Sequence, residues 1–335
     1  IGDNNIAEIG GYNFSGCFSL EAIKVSDKNP SYTSRSLDGT ECNAIITKAS
    51  PRTLLVSSSN TVIPDDVTSI ASDAFRGRSG ISSIYIPSSV NNIKYGAFVS
   101  CPNLNKIKVD DKNSTYTSKD SNRNECNVIV GKSNHELIVG SNNTVIPDGV
   151  TSIASDAFAG SGIASVNIPS SVTDIEDSAF ENCFAIENIE IDENNTTYTS
   201  QCNGVECDAI ISRNGNTLLL GCKNTLLLNP VKTIFVRAFK GCVGLTSIKI
   251  PSGIEEIYNE AFAGCYNLIT VDLTDFSSSP LPSLIDEEYG KAFEDNNGDL
   301  KFYVASGMAA VFKAAEGWKD YNPDHFTESP VPIIY

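Results

Sequence analysis

The chain has only two histidines, one tryptophan and one methionine in 335 residues, and its 24 basic side chains are outnumbered by 41 acidic ones. So few imidazoles leave little material for histidine-based catalysis or for haem ligation. A formal charge of −17 argues against nucleic acid, whose binding needs a basic face that displaces counterions. It argues equally against electrostatic docking on anionic lipid. The same charge keeps a long, exposed molecule soluble. No stretch approaches the roughly 18 consecutive apolar residues of a membrane-spanning helix. The chain starts at Ile1 and not at Met, so it reads as a mature or trimmed form, and a missing leader is uninformative about location.

What the chain does have is repetition. The phrase Val67-Thr-Ser-Ile70-Ala-Ser-Asp-Ala74-Phe75 returns nearly letter for letter at Val150-Thr-Ser-Ile153-Ala-Ser-Asp-Ala157-Phe158. Looser copies start at Ile6, Val90, Val172, Val231 and Ile254. Self-similarity at short period predicts a stacked solenoid, in which each layer touches only its neighbours. In the copy at Val90, Ile107 and Val109 alternate with polar residues, which predicts a short strand with one face buried. Ala97-Phe98 fits one tight helical or 3₁₀ turn, and Leu104 points back to the core. One layer holds too few apolar residues for a core of its own, so stacking must bury them.

Three longer segments follow a second rule. They open at Tyr32-Thr-Ser, Tyr116-Thr-Ser and Tyr198-Thr-Ser and continue through Cys42-Asn-Ala, Cys126-Asn-Val and Cys207-Asp-Ala. Leu54-Leu-Val, Leu137-Ile-Val and Leu218-Leu-Leu come next, and the exits are Asn60-Thr-Val-Ile63-Pro64, Asn143-Thr-Val-Ile146-Pro147 and Asn224-Thr-Leu-Leu-Leu228. Each segment reads as an extra hairpin whose exit strand rejoins the stack. The expected fold is a leucine-rich-repeat solenoid over 1–273, a short parallel strand ladder with interspersed β-hairpin segments and few helices. A C-terminal capping region is expected at 274–321, with Ser306 as helix N-cap, Gly317 as stop and Trp318 folded over the last layer. Residues 322–335 read as a tail.

Five copies carry Cys three residues after the Phe, at Cys17, Cys101, Cys183, Cys242 and Cys265, where two others carry Arg78 and Ser161. Cysteines at one core register read as small buried hydrophobes, and no C-x₂-C pair suggests zinc. Cys202 and Cys222 fall outside these series, and a bridge between them is left open by the sequence.

The phrases V-x-x-I, A-F-x-G-C and L-x-x-I-x-I-P, plainest in 231–251 and 254–273, resemble the BspA-like leucine-rich repeat, also called the Treponema-type repeat. The resemblance covers about 1–320. It implies an extracytoplasmic, often lipid- or wall-anchored bacterial protein with a role in adhesion to host or matrix proteins or to other cells. It brings no catalytic residues, and no cofactor is expected.

Catalytic alternatives find little support. His135 lies in a polar turn and His325 in the tail, neither near an activated-serine signature. The pairs Asp65-Asp66, Asp110-Asp111, Glu255-Glu256 and Glu287-Glu288 sit where solvated acids are expected, and a regular solenoid offers them no cleft. The turns Asp27-Lys-Asn29, Asp110-Asp-Lys-Asn113 and Asp192-Glu-Asn-Asn195 match no calcium loop, and Asn at turns already has a backbone reason. The triplets Asn113-Ser-Thr115 and Asn195-Thr-Thr197 read as exposed loops. The predicted contact face is the outward side of the strand ladder: Ala22, Lys24, Ser83, Tyr85, Lys106, Lys108, Ser165, Asn167, Asn188, Glu190, Ser247, Lys249, Thr270 and Asp272; the polar tips of the three hairpin segments are rival contact points. Polar and mixed in charge, it suits a wet contact of a monomeric chain with a protein or glycan better than a deep small-molecule pocket. A carbohydrate-binding accessory protein and a passive spacer are the alternatives to an adhesin.

Overall fold

The computed structural model describes residues 1–3, 8–14, 16–214, 216–278, 280–285 and 290–329. The repeat start at Ile6, the pair Glu287-Glu288 and the tail end at 330–335 lie outside the described residues.

Each template copy becomes a coil with two short strands. V-x-x-I supplies a two-residue strand such as Ser69–Ile70, and the later alternating run supplies a longer one such as Ser83–Ile86. Between them the Ala-Phe pair forms a turn and no helix, because left-handed residues bracket it. Asp73 (φ 58°) and Gly77 (φ 72°) flank Ala74-Phe75, as Gly96 (φ 72°) and Ser100 (φ 58°) flank Ala97-Phe98. Left-handed residues interrupt an α-helix, and Gly, Asp and Asn reach that conformation at least cost. Successive turns bond to one another: Phe75 N donates to Ala97 O at 2.8 Å and Gly77 N to Val99 O at 3.0 Å. The Phe75 and Phe98 rings stack 4.6 Å apart.

The described residues form two compact units, 1–163 with 171–183 and 164–170 with 184–335. In the first, Tyr32–Arg35, Glu41–Thr47 and Thr53–Ser57 make an antiparallel meander whose third strand pairs in parallel with Ser69–Ile70, and that strand with Asn92–Ile93. The same order recurs from Tyr116–Lys119 through Glu125–Gly131 and Glu136–Gly140 to Ser152–Ile153 and Asp174–Ile175. A separate parallel ladder joins Ser83–Ile86 to Lys106–Val109.

The second unit repeats this plan. Tyr198–Cys202, Val205–Ser212 and Thr217–Gly221 lead into Thr233–Ile234, Glu256–Tyr258 and Ser283–Ile285. Ser165–Ile168 pairs with Asn188–Ile191, and a four-strand parallel ladder runs Ser247–Lys249, Thr270–Leu273, Lys301–Ala305, Phe326–Ser329. Phe262 is sandwiched between Phe239 and Phe293, each 4.8 Å away. Parallel ladders and hairpin modules, with one α-helix among the described residues, make both units β-solenoid of the leucine-rich-repeat kind.

Three expectations change. The strand that joins each stack is the third of the meander, Thr53–Ser57 for example, and not the exit Asn60-Thr-Val-Ile63, which forms no strand. There the threonine side chain replaces a ladder: Thr61 Oγ1 accepts from Ser58 N and donates to Asn43 O, both at 2.7 Å. The C-terminal helix is only Ala309–Ala314, preceded by Met308 with no side-chain cap, so Ser306 does not cap it. Gly317 (φ 75°) instead precedes the 3₁₀ turn Trp318–Asp320. Within 322–335, whose order the sequence leaves open, Phe326–Ser329 adds a parallel strand and buries Phe326 beside Phe302. Trp318 is buried in this cap among Phe293, Phe302 and Phe312, and its Nε1 donates to Pro282 O at 2.8 Å.

Candidate functional site

Alternation along the longer strands sets the outward face. In the first unit Ser83, Tyr85, Lys106 and Lys108 are exposed while Ile84, Ile86, Ile107 and Val109 are buried. In the second, Ser165, Asn167 and Glu190 are exposed, and Asn188, Ser247, Lys249 and Thr270 are half-buried. Lys249 is held by Asp275 at 2.9 Å. Asp272 departs from the expected face because its side chain is wholly buried. Its Oδ1 accepts from Thr274 N at 2.9 Å and Thr274 Oγ1 at 2.6 Å, so the following turn folds it inward. It offers nothing to a partner.

Beside Tyr85, within the first unit, lies an open cleft of about 470 Å³, whose lining includes Leu37, Asp38, Val62, Asp65 and Asp66. Leu37 (77%), Val62 (62%) and Tyr85 (45%) are exposed there, unusual for large apolar side chains. Asp66, Asp38 and Asp110 are fixed by bonds to their neighbours. Asp66 Oδ1 pairs with Arg52 Nε at 3.2 Å, and its other oxygen accepts from Leu37 N. The Ser36 hydroxyl, with the Thr40 amide, holds the Asp38 carboxyl down at about 2. The Tyr85 hydroxyl donates to Asp110, which holds Asp110 below its usual range and pushes the phenol up to about 12. The cleft thus presents neutral phenol and aliphatic carbon beside ionised carboxylates at neutral pH. A smaller cleft of about 260 Å³ in the second unit has a more polar lining that includes Glu193, Gln201 and Arg213.

The other candidate groups are occupied internally. Asn113, expected at an exposed turn, is buried. Its Oδ1 accepts from Thr115 N and Tyr116 N, and its Nδ2 donates to Pro87 O and Val90 O at 2.9 and 2.8 Å. Asn29 and Asn195 are buried with the same acceptor role, so the asparagines of the triplets at Asn113 and Asn195 are not exposed as expected. A cation clamps each turn from outside: Lys48 on Asn29 O, Lys132 on Asn113 O, Arg213 on Asn195 O. Among the described residues no group of three or more His, Cys, Asp and Glu is placed to hold a metal ion.

The cysteine register behaves as expected at Cys101, Cys242 and Cys265, which are buried, but Cys183 is half-buried and Cys17 exposed. In the copy at Phe14 no preceding layer among the described residues covers Cys17. These thiols are also donors: Cys101, Cys183 and Cys265 donate to Phe75 O, Phe158 O and Phe239 O at 3.1, 3.0 and 3.1 Å. Cys202 and Cys222 are not bridged to each other. Cys222 does belong to a series: its amide donates to Thr225 Oγ1 just as Ser58 N does to Thr61 Oγ1 and Ser141 N to Thr144 Oγ1.

Sequence reasoning missed the exposed Leu37 and the repeated Val62, Val145 and Leu226, all exposed at one register. The available signal was an aliphatic residue placed after each Asn-Thr, where alternation against Ile63, Ile146 and Leu227 turns it outward.

The BspA type leucine rich repeat region matches in six copies over residues 2–58, 55–141, 138–207 and 220–284. No curated protein sequence matches the chain. Among solved structures, a leucine rich cell surface protein from Faecalibacterium prausnitzii is 25% identical, with a TM-score of 0.43 over 85% of this chain and 65% of its own. A leucine-rich repeat protein from Eubacterium ventriosum is 20% identical, with a TM-score of 0.40 over 70% of this chain and 63% of its own. The chain therefore spans less than two thirds of either. The pneumococcal vaccine antigen PcpA is 12% identical, with a TM-score of 0.39 over 82% of this chain and 81% of its own. With the family's repeat matched over most of its length, the chain belongs to the BspA-type leucine-rich-repeat family.

Proposed function

We propose that this chain is a non-enzymatic recognition protein of a bacterial cell exterior, adhesin-like, that binds a partner protein through its strand face and the adjoining cleft at Tyr85. The observation that carries the reading is the exposure of Leu37, Val62 and Tyr85 beside Asp38, Asp65 and Asp110. Apolar contact ringed by ionised carboxylates favours an extended segment of protein that carries Lys or Arg next to aliphatic side chains. A glycan partner would call for several aromatic platforms. On the predicted face Tyr85 is the single aromatic, and its hydroxyl is already bonded to Asp110.

The test is a binding panel of extracellular-matrix proteins and glycans measured by surface plasmon resonance. Tyr85→Ala with Leu37→Ser is expected to weaken a protein interaction at least about tenfold, a loss typical of one or two anchor side chains. Raising salt is expected to slow its association. Binding to glycans alone, or protein binding indifferent to these two changes and to charge swaps at Lys106 and Lys108, would overturn the reading.

A further inference from the structure

The third hairpin module carries a thiol pair that the other two lack. Arg35 pairs with Glu41, Lys119 with Glu125 and Gln201 with Glu206, so Ser36, Asp120 and Cys202 stand at one position beyond those pairs. In the third module the loop is also shorter. Cys202 pairs directly with Val205 across Asn203 (φ 52°) and Gly204 (φ 82°), the left-handed dipeptide of a tight hairpin turn. Strand alternation then puts Cys207, two residues past Val205, on the same face as Cys202 and diagonal to it, and the two side chains are close enough for one thiol to hydrogen-bond the other. Both side chains are wholly buried in one apolar cluster. Burial, and then a hydrogen bond with the Cys202 thiol, push the Cys207 thiol up to about 12.

We propose that Cys202 and Cys207 form a disulfide that clasps the tip of this hairpin. The oxidant is an external low-molecular-weight disulfide. A thiolate of the pair attacks it to give a mixed disulfide, and the second thiolate displaces the remaining half. The chain loses two thiol protons and two electrons, and one external disulfide becomes two thiols. So buried and so weakly acidic a pair reacts slowly once folded, because the thiolate is the nucleophile. The bridge therefore forms while the hairpin is still open, and the packed core then shields it.

The experiment refolds the full chain in glutathione disulfide with a little glutathione, then counts thiols in denaturant and maps peptides without reduction. The chain holds ten cysteines, so two fewer reactive thiols are expected than in the reduced protein. Cleavage after Glu206 separates the two cysteines in sequence, so the peptides holding Cys202 and Cys207 are expected to stay joined until reductant is added. The Cys202→Ser chain is expected to lose that link and to keep its other thiols free. Ten free thiols after oxidative refolding, or a link from Cys202 to any other cysteine, would overturn the proposal. The peptide map of the unaltered chain decides the matter even if the variant fails to fold.

Discussion

A Cβ on Gly140 would lie 2.0 Å from Cε1 of Phe158. The strand Glu136–Gly140 ends where the ring of the next Ala-Phe turn fills the space of a side chain, while Gly140 N donates to Ala157 O at 2.8 Å. Gly221 meets the Phe239 ring in the same way, at 2.2 Å. Substituting Ala must displace a packed ring, so Gly140→Ala and Gly221→Ala should each destabilise by about 1–3 kcal/mol. Thermal unfolding by circular dichroism checks this, and adding Phe158→Leu to Gly140→Ala should recover part of the loss.

The first module carries Ser57 at that register, with Ser57 N donating to Ala74 O at 2.8 Å. Its hydroxyl is buried without a hydrogen-bond partner. An unsatisfied buried hydroxyl costs free energy that an apolar replacement does not. Ser57→Ala should therefore hold or raise stability, by up to about 1 kcal/mol, opposite in sign to the change at Gly140. A clear drop in the urea midpoint would show that the hydroxyl has a partner after all.

Arg78 occupies the position that Cys holds in five copies. It is buried, and its guanidinium donates to Ser57 O at 2.8 Å, Cys17 O at 3.0 Å and Phe14 O at 3.2 Å. Burial lowers its pKa, but arginine stays charged in proteins. Arg78→Met keeps volume and leaves those carbonyls without their donor, so a loss of about 3 kcal/mol is expected. Hydrogen exchange should show the change concentrated at the segment around Phe14 to Cys17.

The regular parts of this molecule were legible because they repeat. The spacing of Ala74-Phe75 and Ala97-Phe98 predicts the ring stack, and Ile107 and Val109 predict the buried strand face. The departures come from side chains that act on the backbone. Thr61 makes the exit segment look like a strand in sequence while bonding it to Asn43 and Ser58 outside any ladder. Asp272 alternates outward by count but turns in to bond Thr274. The cleft at Tyr85 needs Leu37 from a loop and Val62 from an exit segment, and no one-dimensional period brings those together.

Asn113 uses both ends of its amide in the core, so Asn113→Asp is a sharp probe. The carboxylate would keep the bonds from Thr115 N and Tyr116 N but would face Pro87 O and Val90 O with no donor. Burial and those carbonyls raise the pKa of the new carboxyl above about 3.9, its ordinary value. A raised pKa in the folded state means the variant is least impaired at low pH, where the acid form donates one bond. The impairment should grow as pH rises from about 4 toward 7, reaching about 2–3 kcal/mol. Urea titrations of both chains across that range measure the difference.

Glu260 ties two layers of the second unit, accepting from Arg237 Nε at 2.6 Å and Lys240 Nζ at 2.8 Å. Burial raises its pKa, yet the bonds from Lys240 and Arg237 outweigh burial and hold it below the ordinary 4.5. A depressed pKa places its stabilisation above the unfolded value, fully present beyond about pH 5 and lost as pH falls through the folded value. With little of the carboxyl exposed, about 1–2 kcal/mol is at stake. Glu260→Gln keeps the shape and removes the charge, so it should be less stable than the unaltered chain at pH 7 and nearly equal to it near pH 2. If the two chains differed as much in acid as at neutral pH, packing and not charge would join these layers.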